Sequence, residues 1–279
     1  MPELERYVLA LLAKLDGTLK QAVDDFDFNS YTRALTDFCN EDLSAFFFDI
    51  RKDSLYCDAA TNPKRMAYRT VLDTLFHALV RYAAPVLVFT AEEVWGTRFP
   101  DGGSVHLLEW PTLPGTTPSR HPGAGRDPSL PTDGGVDSEM GPDLRQGDEL
   151  VEKWDRLREL RSEVTEVIEP HRQNKSLGSS LQAEVLILTD DDLEIQTQDI
   201  DLSELFITSH VHLLSIEDFK TRQGQNAYIR FPESGDCVGA SRTTHHKCGR
   251  CWRHLPDVTS DGALCSRCDN VVGAMEAAL

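Results

Sequence analysis

Cys248-Gly249-Arg250-Cys251, followed after thirteen residues by Cys265-Ser266-Arg267-Cys268, decides the fold of the C-terminal end of this chain. Each Cys-x-x-Cys pair forms a tight turn that brings two sulfurs to one side, and the loop between the pairs is long enough to close a tetrahedron. Four soft thiolates satisfy Zn²⁺ fully, so the spacing predicts one structural zinc that this segment needs in order to fold. The alternative is a redox or disulfide role for the cysteines.

The residues around this zinc knuckle favour contact with RNA. No acidic residue lies between Cys237 and Pro256, and Trp252 directly follows the second cysteine. Basic groups neutralise phosphates, and an exposed indole can stack on an unpaired base. The alternative is that Trp252 only covers the metal site and that the charges are a solvated surface. The candidate RNA-binding residues of this segment are Arg242, Lys247, Arg250, Trp252 and Arg253.

The charge of the whole chain limits where RNA can bind. The sequence has 28 basic and 46 acidic residues, a net charge of -18. Residues 148–235 carry 9 basic and 19 acidic side chains, whereas residues 236–279 carry 5 of each. A protein that binds nucleic acid over its whole surface would be basic, so any RNA contact must be local. We expect no DNA partner.

The chain has the composition of a cytoplasmic protein. It contains no run of eighteen apolar residues, which predicts no membrane partner, and its first residues lack the pattern of a secretory signal. Three cysteines lie outside the two pairs, namely Cys39, Cys57 and Cys237. Because an odd number of thiols cannot all form disulfides within the chain, they suit a reducing compartment.

Residues 1–110 are predicted to form a helical bundle. Apolar residues recur every three or four positions from Leu4 to Ala22, which indicates one amphipathic helix. A second helix is predicted over 29–50, with Phe46-Phe47-Phe48 in the core. A third is predicted to begin after Asn62-Pro63, to bury Met66, and to be kinked or broken by Pro85 before a last apolar helical turn at 86–95.

Residues 111–147 interrupt this pattern. The segment holds seven glycines and seven prolines and shows no apolar periodicity, so it is predicted to be a disordered linker or insertion. The stretch from Arg120 to Arg126 superficially resembles a phosphate-binding loop. It lacks the Gly-Lys-Ser/Thr ending, and no strand precedes it, so that interpretation is rejected.

A small α+β domain is predicted over 148–235, followed by the zinc-binding tail at 236–279. Asp148 should cap a helix that ends at Pro170, and Asp191 or Asp192 should start another that reaches Thr208. Strands are predicted at 183–189, 211–216 and 227–231. The predicted fold class is therefore mainly α, a helical bundle followed by a small α+β domain and a zinc knuckle.

The sequence offers no catalytic constellation. Serine-hydrolase, zinc-protease, Walker and dinucleotide-binding patterns are all missing, and nothing proposes a nucleophile with its base. We therefore predict no catalytic residue, and from its motifs alone the chain is typical of a binding module.

Three stretches resemble bacterial isoleucyl-tRNA synthetase. They are Asn40-Glu-Asp-Leu-Ser-Ala-Phe-Phe-Phe-Asp-Ile-Arg-Lys-Asp-Ser-Leu-Tyr-Cys-Asp58, then Ala84-Pro-Val-Leu-Val-Phe-Thr-Ala-Glu-Glu-Val-Trp95, and finally Lys247-Cys-Gly-Arg-Cys-Trp-Arg-His254 with its second cysteine pair. Their order and separation fit the C-terminal third of that class I enzyme, with 111–147 as an insertion. The valyl enzyme resembles the helical part but not the tail.

This resemblance implies an anticodon-binding helical bundle, a junction domain and a zinc-bearing tail that together hold tRNA(Ile). The ATP-binding HIGH and KMSKS signatures are missing, as are the Rossmann and editing domains; Asn174-Lys-Ser-Leu-Gly-Ser-Ser180 matches a junction-domain segment instead. ATP and Mg²⁺ would therefore bind only to a catalytic half outside this chain. The bundle's candidate RNA-binding residues are Arg51, Lys52, Lys64, Arg65 and Arg69.

Three functions remain open at this stage. The chain could be the tRNA-binding C-terminal portion of an isoleucine–tRNA ligase that supports ATP-dependent charging of tRNA(Ile) together with a catalytic half. It could instead be a freestanding zinc-dependent RNA-binding protein, or an inactive truncated remnant. In each case the isolated chain should not activate isoleucine, although its family is enzymatic.

Overall fold

A computed structural model describes residues 1–113, 142–188, 197–214, 228–230 and 237–277. Within these ranges, no helix is both long and apolar enough to cross a lipid bilayer. The backbone divides into two compact units, the first comprising Met1–Ala45 and Ala67–Val151 and the second Phe46–Met66 and Glu152–Leu279. Most of the segment predicted as a linker, and the predicted starts at Asp191 or Asp192, lie outside the described residues.

The N-terminal half of the chain is helical, as the sequence predicts. It forms α1 (Glu3–Asp24), α2 (Phe28–Asp37), a π-helical segment (Phe38–Phe48), α3 (Asp49–Cys57), α4 (Pro63–Ala83) and α5 (Val88–Arg98), followed by a short 3₁₀ turn (Val105–Leu107). Asp27 caps α2 by accepting a hydrogen bond from the Ser30 backbone N–H at 3.0 Å. The predicted helix start at Pro63 is confirmed.

A buried carboxylate organises the core of the first unit. The α1 residues Leu4, Val8, Leu12 and Leu19 are at most 3% exposed. Beside them, Asp16 accepts hydrogen bonds from the hydroxyl of Tyr82 at 2.7 Å, from Nε1 of Trp110 at 2.6 Å and from Nζ of Lys20 at 2.6 Å. The Tyr31 hydroxyl in turn donates to the Tyr82 backbone carbonyl at 2.8 Å, so α1, α2 and α4 share one polar network.

The predicted helix over 29–50 is wrong in its geometry and its end. Helical structure continues to Cys57, and residues 38–48 are π-helical rather than α-helical. In a π-helix residues five apart share a face, and Phe38 and Leu43 are buried accordingly. Phe46 and Phe47 are buried as predicted, but Met66 is 54% exposed and is not a core residue.

Two predicted helix boundaries in the second half of the chain are also wrong. The long helix α6 spans Pro142–Gln173, so it begins before Asp148, and Pro170 lies inside its last turns. What ends it is Lys175, which has a left-handed backbone with φ of 62°. The short helix α7 (Leu202–Phe206) starts at Asp201, whose side chain accepts from the Glu204 N–H, so no continuous helix reaches Thr208.

A four-stranded sheet completes the second unit. Its strands are β1 (Ala183–Leu188), β2 (His210–Leu214), β3 (Tyr228–Arg230) and β4 (Cys237–Arg242), in the order β2-β1-β4-β3. β1 is parallel to β2 and antiparallel to β4, with Val185 opposite both Val211 and Ala240. A separate two-stranded sheet pairs β5 (His246–Lys247) with β6 (His254–Leu255), and helix α8 (Ser266–Glu276) ends the described chain.

The buried strand β4 was not predicted, because the residues after 235 were expected to belong to the zinc-binding tail. Its backbone nonetheless pairs with β1 along six residues, and Val238 and Ala240 are fully buried. The predicted fold class, a mainly helical protein with a small α+β part and a four-cysteine cluster, is confirmed.

Candidate metal centre and nucleic-acid surface

The four predicted ligands meet at one point. The Sγ atoms of Cys248, Cys251, Cys265 and Cys268 all lie within 4.8 Å of one another, and the four residues are at most 8% exposed. The Sγ atoms of Cys251 and Cys265 are 3.9 Å apart. A tetrahedron with metal–sulfur bonds of about 2.3 Å has sulfur–sulfur edges of about 3.8 Å, so the cluster has the size of a four-thiolate metal site.

Two glycines let the cysteine turns approach each other. A Cβ added to Gly249 would lie 2.4 Å from the carbonyl oxygen of Gly262, which itself has a φ of 91°. The Gly249 N–H donates to the Ala263 carbonyl at 3.0 Å, and the Cys265 N–H donates to Sγ of Cys248 at 3.3 Å. Backbone contacts therefore help to hold the two cysteine turns close together.

The ionisation of Cys248, Cys251 and Cys268 is strongly perturbed. Burial raises the pKa of Cys268 to about 11, and burial together with neighbouring sulfurs raises the pKa of Cys251 further. Cys248 is the exception: burial opposes its ionisation, but backbone N–H donors of Arg250, Cys251 and Cys265 lower its pKa to about 6. A divalent cation would offset the repulsion among four thiolates, so the donor set fits a metal ion such as Zn²⁺.

Arginines inside both cysteine turns fasten the cluster to the C-terminal end of α3. Nη1 of Arg250 donates to the Cys57 carbonyl at 2.6 Å, and its Nη2 donates to the Tyr56 carbonyl at 3.2 Å. Arg267 contacts Oδ2 of Asp53 at 2.7 Å and Oδ1 of Asp58 at 3.2 Å. Arg267 was not among the predicted site residues, although both pairs carry an arginine just before their second cysteine.

The cysteine cluster also determines the position of Trp252. This residue has a left-handed backbone with φ of 65°, and its N–H donates to the Cys248 carbonyl at 3.1 Å. Its side chain is 61% exposed, and Nζ of Lys247 lies 5.2 Å from the ring centroid. Because most of the indole faces solvent, the ring is available to a flat partner, as stacking on a base requires.

Several predicted RNA-binding cations form hydrogen bonds or ion pairs within the protein. Arg51 is 5% exposed and donates to Oε1 of Glu204 at 3.0 Å, and Lys64 contacts the other carboxylate oxygen at 2.5 Å. Nη1 of Arg65 donates to the Asp58 carbonyl at 2.8 Å. These contacts, like those of Arg250, support a structural role for the side chains.

Of the remaining predicted cations, Lys52, Arg69 and Arg242 are exposed and Arg253 is half-buried. Lys52 is exposed, with Nζ 2.5 Å from Oδ1 of Asp49, and Arg242 is exposed at the end of β4. Nη1 of Arg253 lies 3.9 Å from Oδ2 of Asp201, with its side chain 16% exposed. Arg69 is exposed in the first unit, whereas the other predicted cations and Trp252 belong to the second.

Acidic and basic groups around α3 nearly balance, in contrast to the strongly acidic chain. The ion pairs join six cations to five carboxylates, and Arg250 adds a cation held by carbonyls. These five carboxylates are therefore offset by cations and add little to the negative charge that would repel RNA. The paired residues are Arg51 and Lys64 with Glu204, Lys52 and Arg161 with Asp49, Arg267 with Asp53 and Asp58, and Arg253 with Asp201.

Comparison with known proteins links this architecture to translation. Residues 5–187 match the model of the family described as the anticodon-binding domain of tRNA ligase. Nearly the whole chain is similar to isoleucine–tRNA ligases, with 47% identity to that of Zymomonas mobilis over 98% of the chain. Identity is 37% to the ligase of Agrobacterium fabrum over 94% of the chain and 37% to that of Gluconobacter oxydans over 98%.

The matched region is a small part of those relatives. The chain spans about a quarter of their length, 25% for the Zymomonas and Gluconobacter enzymes and 24% for the Agrobacterium enzyme. The resemblance that the sequence motifs indicate, to the C-terminal region of isoleucyl-tRNA synthetase, is thereby confirmed.

Proposed function

The chain belongs to the family of anticodon-binding domains of tRNA ligases, and from this premise we propose that it binds tRNA(Ile) and recognises its anticodon region. The observation that carries the proposal is the family match over residues 5–187. The exposed Trp252 ring and the exposed side chains of Lys52 and Arg242 support it, because RNA binding needs stacking surfaces and phosphate contacts.

The cysteine cluster holds one Zn²⁺ with a structural role. Four cysteine thiolates complete the tetrahedral coordination that zinc prefers, which leaves no position for substrate. When bound, the ion would hold both cysteine turns together and thereby fix the left-handed backbone at Trp252. The residues of this chain, not the ion, would contact RNA.

Aminoacylation requires a partner in this proposal. The isoleucine–tRNA ligases that the chain resembles are about four times as long, and the chain contains no class I nucleotide-binding signature. The chain would act in the cytoplasm with the catalytic portion of the synthetase. Isoleucine-dependent pyrophosphate exchange by the isolated chain would contradict this division of labour.

Binding to two RNAs tests the proposal. Filter binding of the full chain should show tighter association with tRNA(Ile) than with the same tRNA carrying a changed anticodon. Trp252→Ala should weaken binding by about 1–3 kcal/mol, the range for loss of a stacking ring. Arg242→Ala should weaken the binding of both RNAs to the same extent and should reduce the salt dependence of binding.

Two results would count against anticodon recognition. Equal affinity for both RNAs would place anticodon discrimination outside this chain. Unchanged binding by Trp252→Ala would mean that the indole only covers the metal centre. Met275→Ala is the control, because Met275 is an apolar side chain of the second unit with 63% exposure, lies outside residues 5–187 and should leave affinity unchanged.

A further inference from the structure

The second unit contains a mostly apolar cavity that no sequence motif indicated. Its volume is about 370 Å³, within the range of about 300–1,000 Å³ typical of ligand pockets. It opens where α3, the turn after α7 and the first cysteine turn meet. Its apolar lining includes Ile50, Tyr56, Leu181, Ile207 and Trp252.

Two exposed aromatic side chains contribute to this lining from separate elements. Tyr56 lies on α3 and is 74% exposed, and Trp252 follows the first cysteine turn and is 61% exposed. The backbones that carry them are tied together, because Arg250 in the cysteine turn donates to the carbonyls of Tyr56 and Cys57. The spacing of the two residues is therefore fixed by the fold, and a flat apolar ligand could contact both rings.

The charged groups at the cavity suit an anionic strand. Lys52 lines the cavity with a side chain that is 56% exposed, and Arg253 adds a second cation. Each acidic group in the lining forms an ion pair with an arginine that is not part of the lining, so its negative charge is offset and opposes a phosphate less. Asp49 contacts Arg161, Asp53 contacts Arg267, and Glu204 contacts Arg51.

We propose that this cavity receives one unpaired base of the bound RNA, with Tyr56 and Trp252 as its aromatic walls and Lys52 beside the flanking phosphate. A base has two apolar faces and a charged backbone attached at its edge, which matches an apolar cavity with cations at its rim. This inference rests on the proposed function and adds Tyr56 and the cavity to the single stacking ring proposed above.

RNA hairpins with single abasic sites test this inference. The probes are anticodon stem-loops of tRNA(Ile), each lacking the base at one loop position, and the full chain is titrated with each. Loss of the base at one loop position should lower the affinity of the parent protein for the hairpin by about 5- to 150-fold. This factor is equivalent to about 1–3 kcal/mol, the contribution of a stacked base. The affinity of the Tyr56→Ala variant for the intact hairpin should be lower than that of the parent protein by a similar factor.

A double-mutant cycle then connects the residue to the base. Tyr56→Ala combined with the critical abasic site should cost less than the two changes summed, and Trp252→Ala should show the same non-additivity at the same position. Tyr56→Phe keeps the ring and should bind like the parent. Met275→Ala, which changes an exposed side chain outside the cavity lining, should show no non-additivity at any position.

The outcomes separate this inference from the proposed function. If the parent binds neither tRNA(Ile) nor the intact hairpin, both are wrong. If it binds them but the Tyr56→Ala and abasic effects add at every position, RNA binding stands and the cavity is not a base site. Coupling to Trp252 without coupling to Tyr56 would also overturn the two-walled cavity. Unchanged metal content and urea unfolding in each variant would show that the fold is intact.

Discussion

Arg51 donates a hydrogen bond to Glu204 at 3.0 Å, and their side chains are only 6% and 9% exposed. Lys64 contacts the second oxygen of the same carboxylate at 2.5 Å. One carboxylate thus connects α3, the first turn of α4 and α7 inside the second unit. Removing Arg51 would leave Glu204 paired with Lys64, but one oxygen of the buried carboxylate would lose its hydrogen-bond donor.

Arg51→Met should therefore lower the free energy of unfolding by about 1–3 kcal/mol, measured by urea denaturation. The matched control is Lys52→Met, the neighbouring cation with a 56% exposed side chain, which should change stability by at most about 0.5 kcal/mol. Adding Glu204→Leu to Arg51→Met should recover part of the loss. An Arg51→Met protein as stable as the parent would contradict a structural role and restore this residue as a candidate RNA contact.

The Asp16 network predicts a defined dependence of stability on pH. Burial opposes ionisation of Asp16, but hydrogen bonds from Lys20, Tyr82 and Trp110 outweigh it and lower its pKa. A carboxyl group with a lowered pKa in the folded state stabilises the protein above its unfolded-state pKa, about 3.9 for aspartate. This contribution is lost as pH falls through the still lower folded-state value.

Asp16→Asn should accordingly destabilise the protein most at neutral pH. At pH 6, urea denaturation should give a lower free energy of unfolding for Asp16→Asn than for the parent protein. This difference between the two proteins should shrink as the pH is lowered below about 4. Asp24→Asn, an exposed change on the same helix, serves as the control and should have little effect. A difference that does not depend on pH would show that Asp16 acts through its shape rather than its charge.

The sequence predicts the features that local patterns encode. The apolar spacing of α1, the start signal at Asn62-Pro63 and the cysteine spacing all depend on residues close together in the chain, and the structure contains each of them. The end of α6 was mispredicted, because Pro170 is a typical helix terminator whereas Lys175 gives no sequence signal for its left-handed backbone.

Features that depend on distant partners were not predictable in this way. Arg51 was expected on the surface because arginine usually is exposed, but its partner Glu204 lies 153 residues away. The strand β4 contains Gly239, Ser241 and Arg242 and has a weak strand pattern; its position follows from pairing with β1. The cavity beside Tyr56 likewise requires elements that are far apart in the sequence.

Gly249 provides a test of the cysteine turns. In Gly249→Ala the new Cβ would lie 2.4 Å from the Gly262 carbonyl oxygen, a backbone atom that cannot move aside without opening the turn. The variant should release its metal at a lower chelator concentration than the parent, as followed with a colorimetric zinc indicator.

Gly273→Ala is the matched control for this change. Gly273 lies in helix α8 with open space around its Cα, so alanine should raise stability by up to about 1 kcal/mol through its helix propensity. Equal metal retention by both variants would show that the close approach of the two turns does not limit metal binding.

Metal removal provides the most direct test of the C-terminal architecture. We expect one zinc per chain by elemental analysis, and Cys251→Ser should lose it because three thiolates and a serine hydroxyl bind zinc more weakly. Cys39→Ser is the control, since Cys39 is a half-buried thiol outside the four-cysteine cluster. Retained stoichiometry in Cys251→Ser would mean that the ligand set is wrong.

Chelation should affect the two units differently. Without the ion, no metal–sulfur bonds join the two cysteine turns, so the turns that carry Arg250 and Arg267 should loosen. Amide exchange should then accelerate around the cysteines and at the C-terminal end of α3, whose carbonyls and carboxylates these arginines hold. The Asp16 network of the first unit contains no ligand of the metal, so α1 and its neighbours should stay protected. Loss of protection throughout α1 would show instead that the metal stabilises the whole chain.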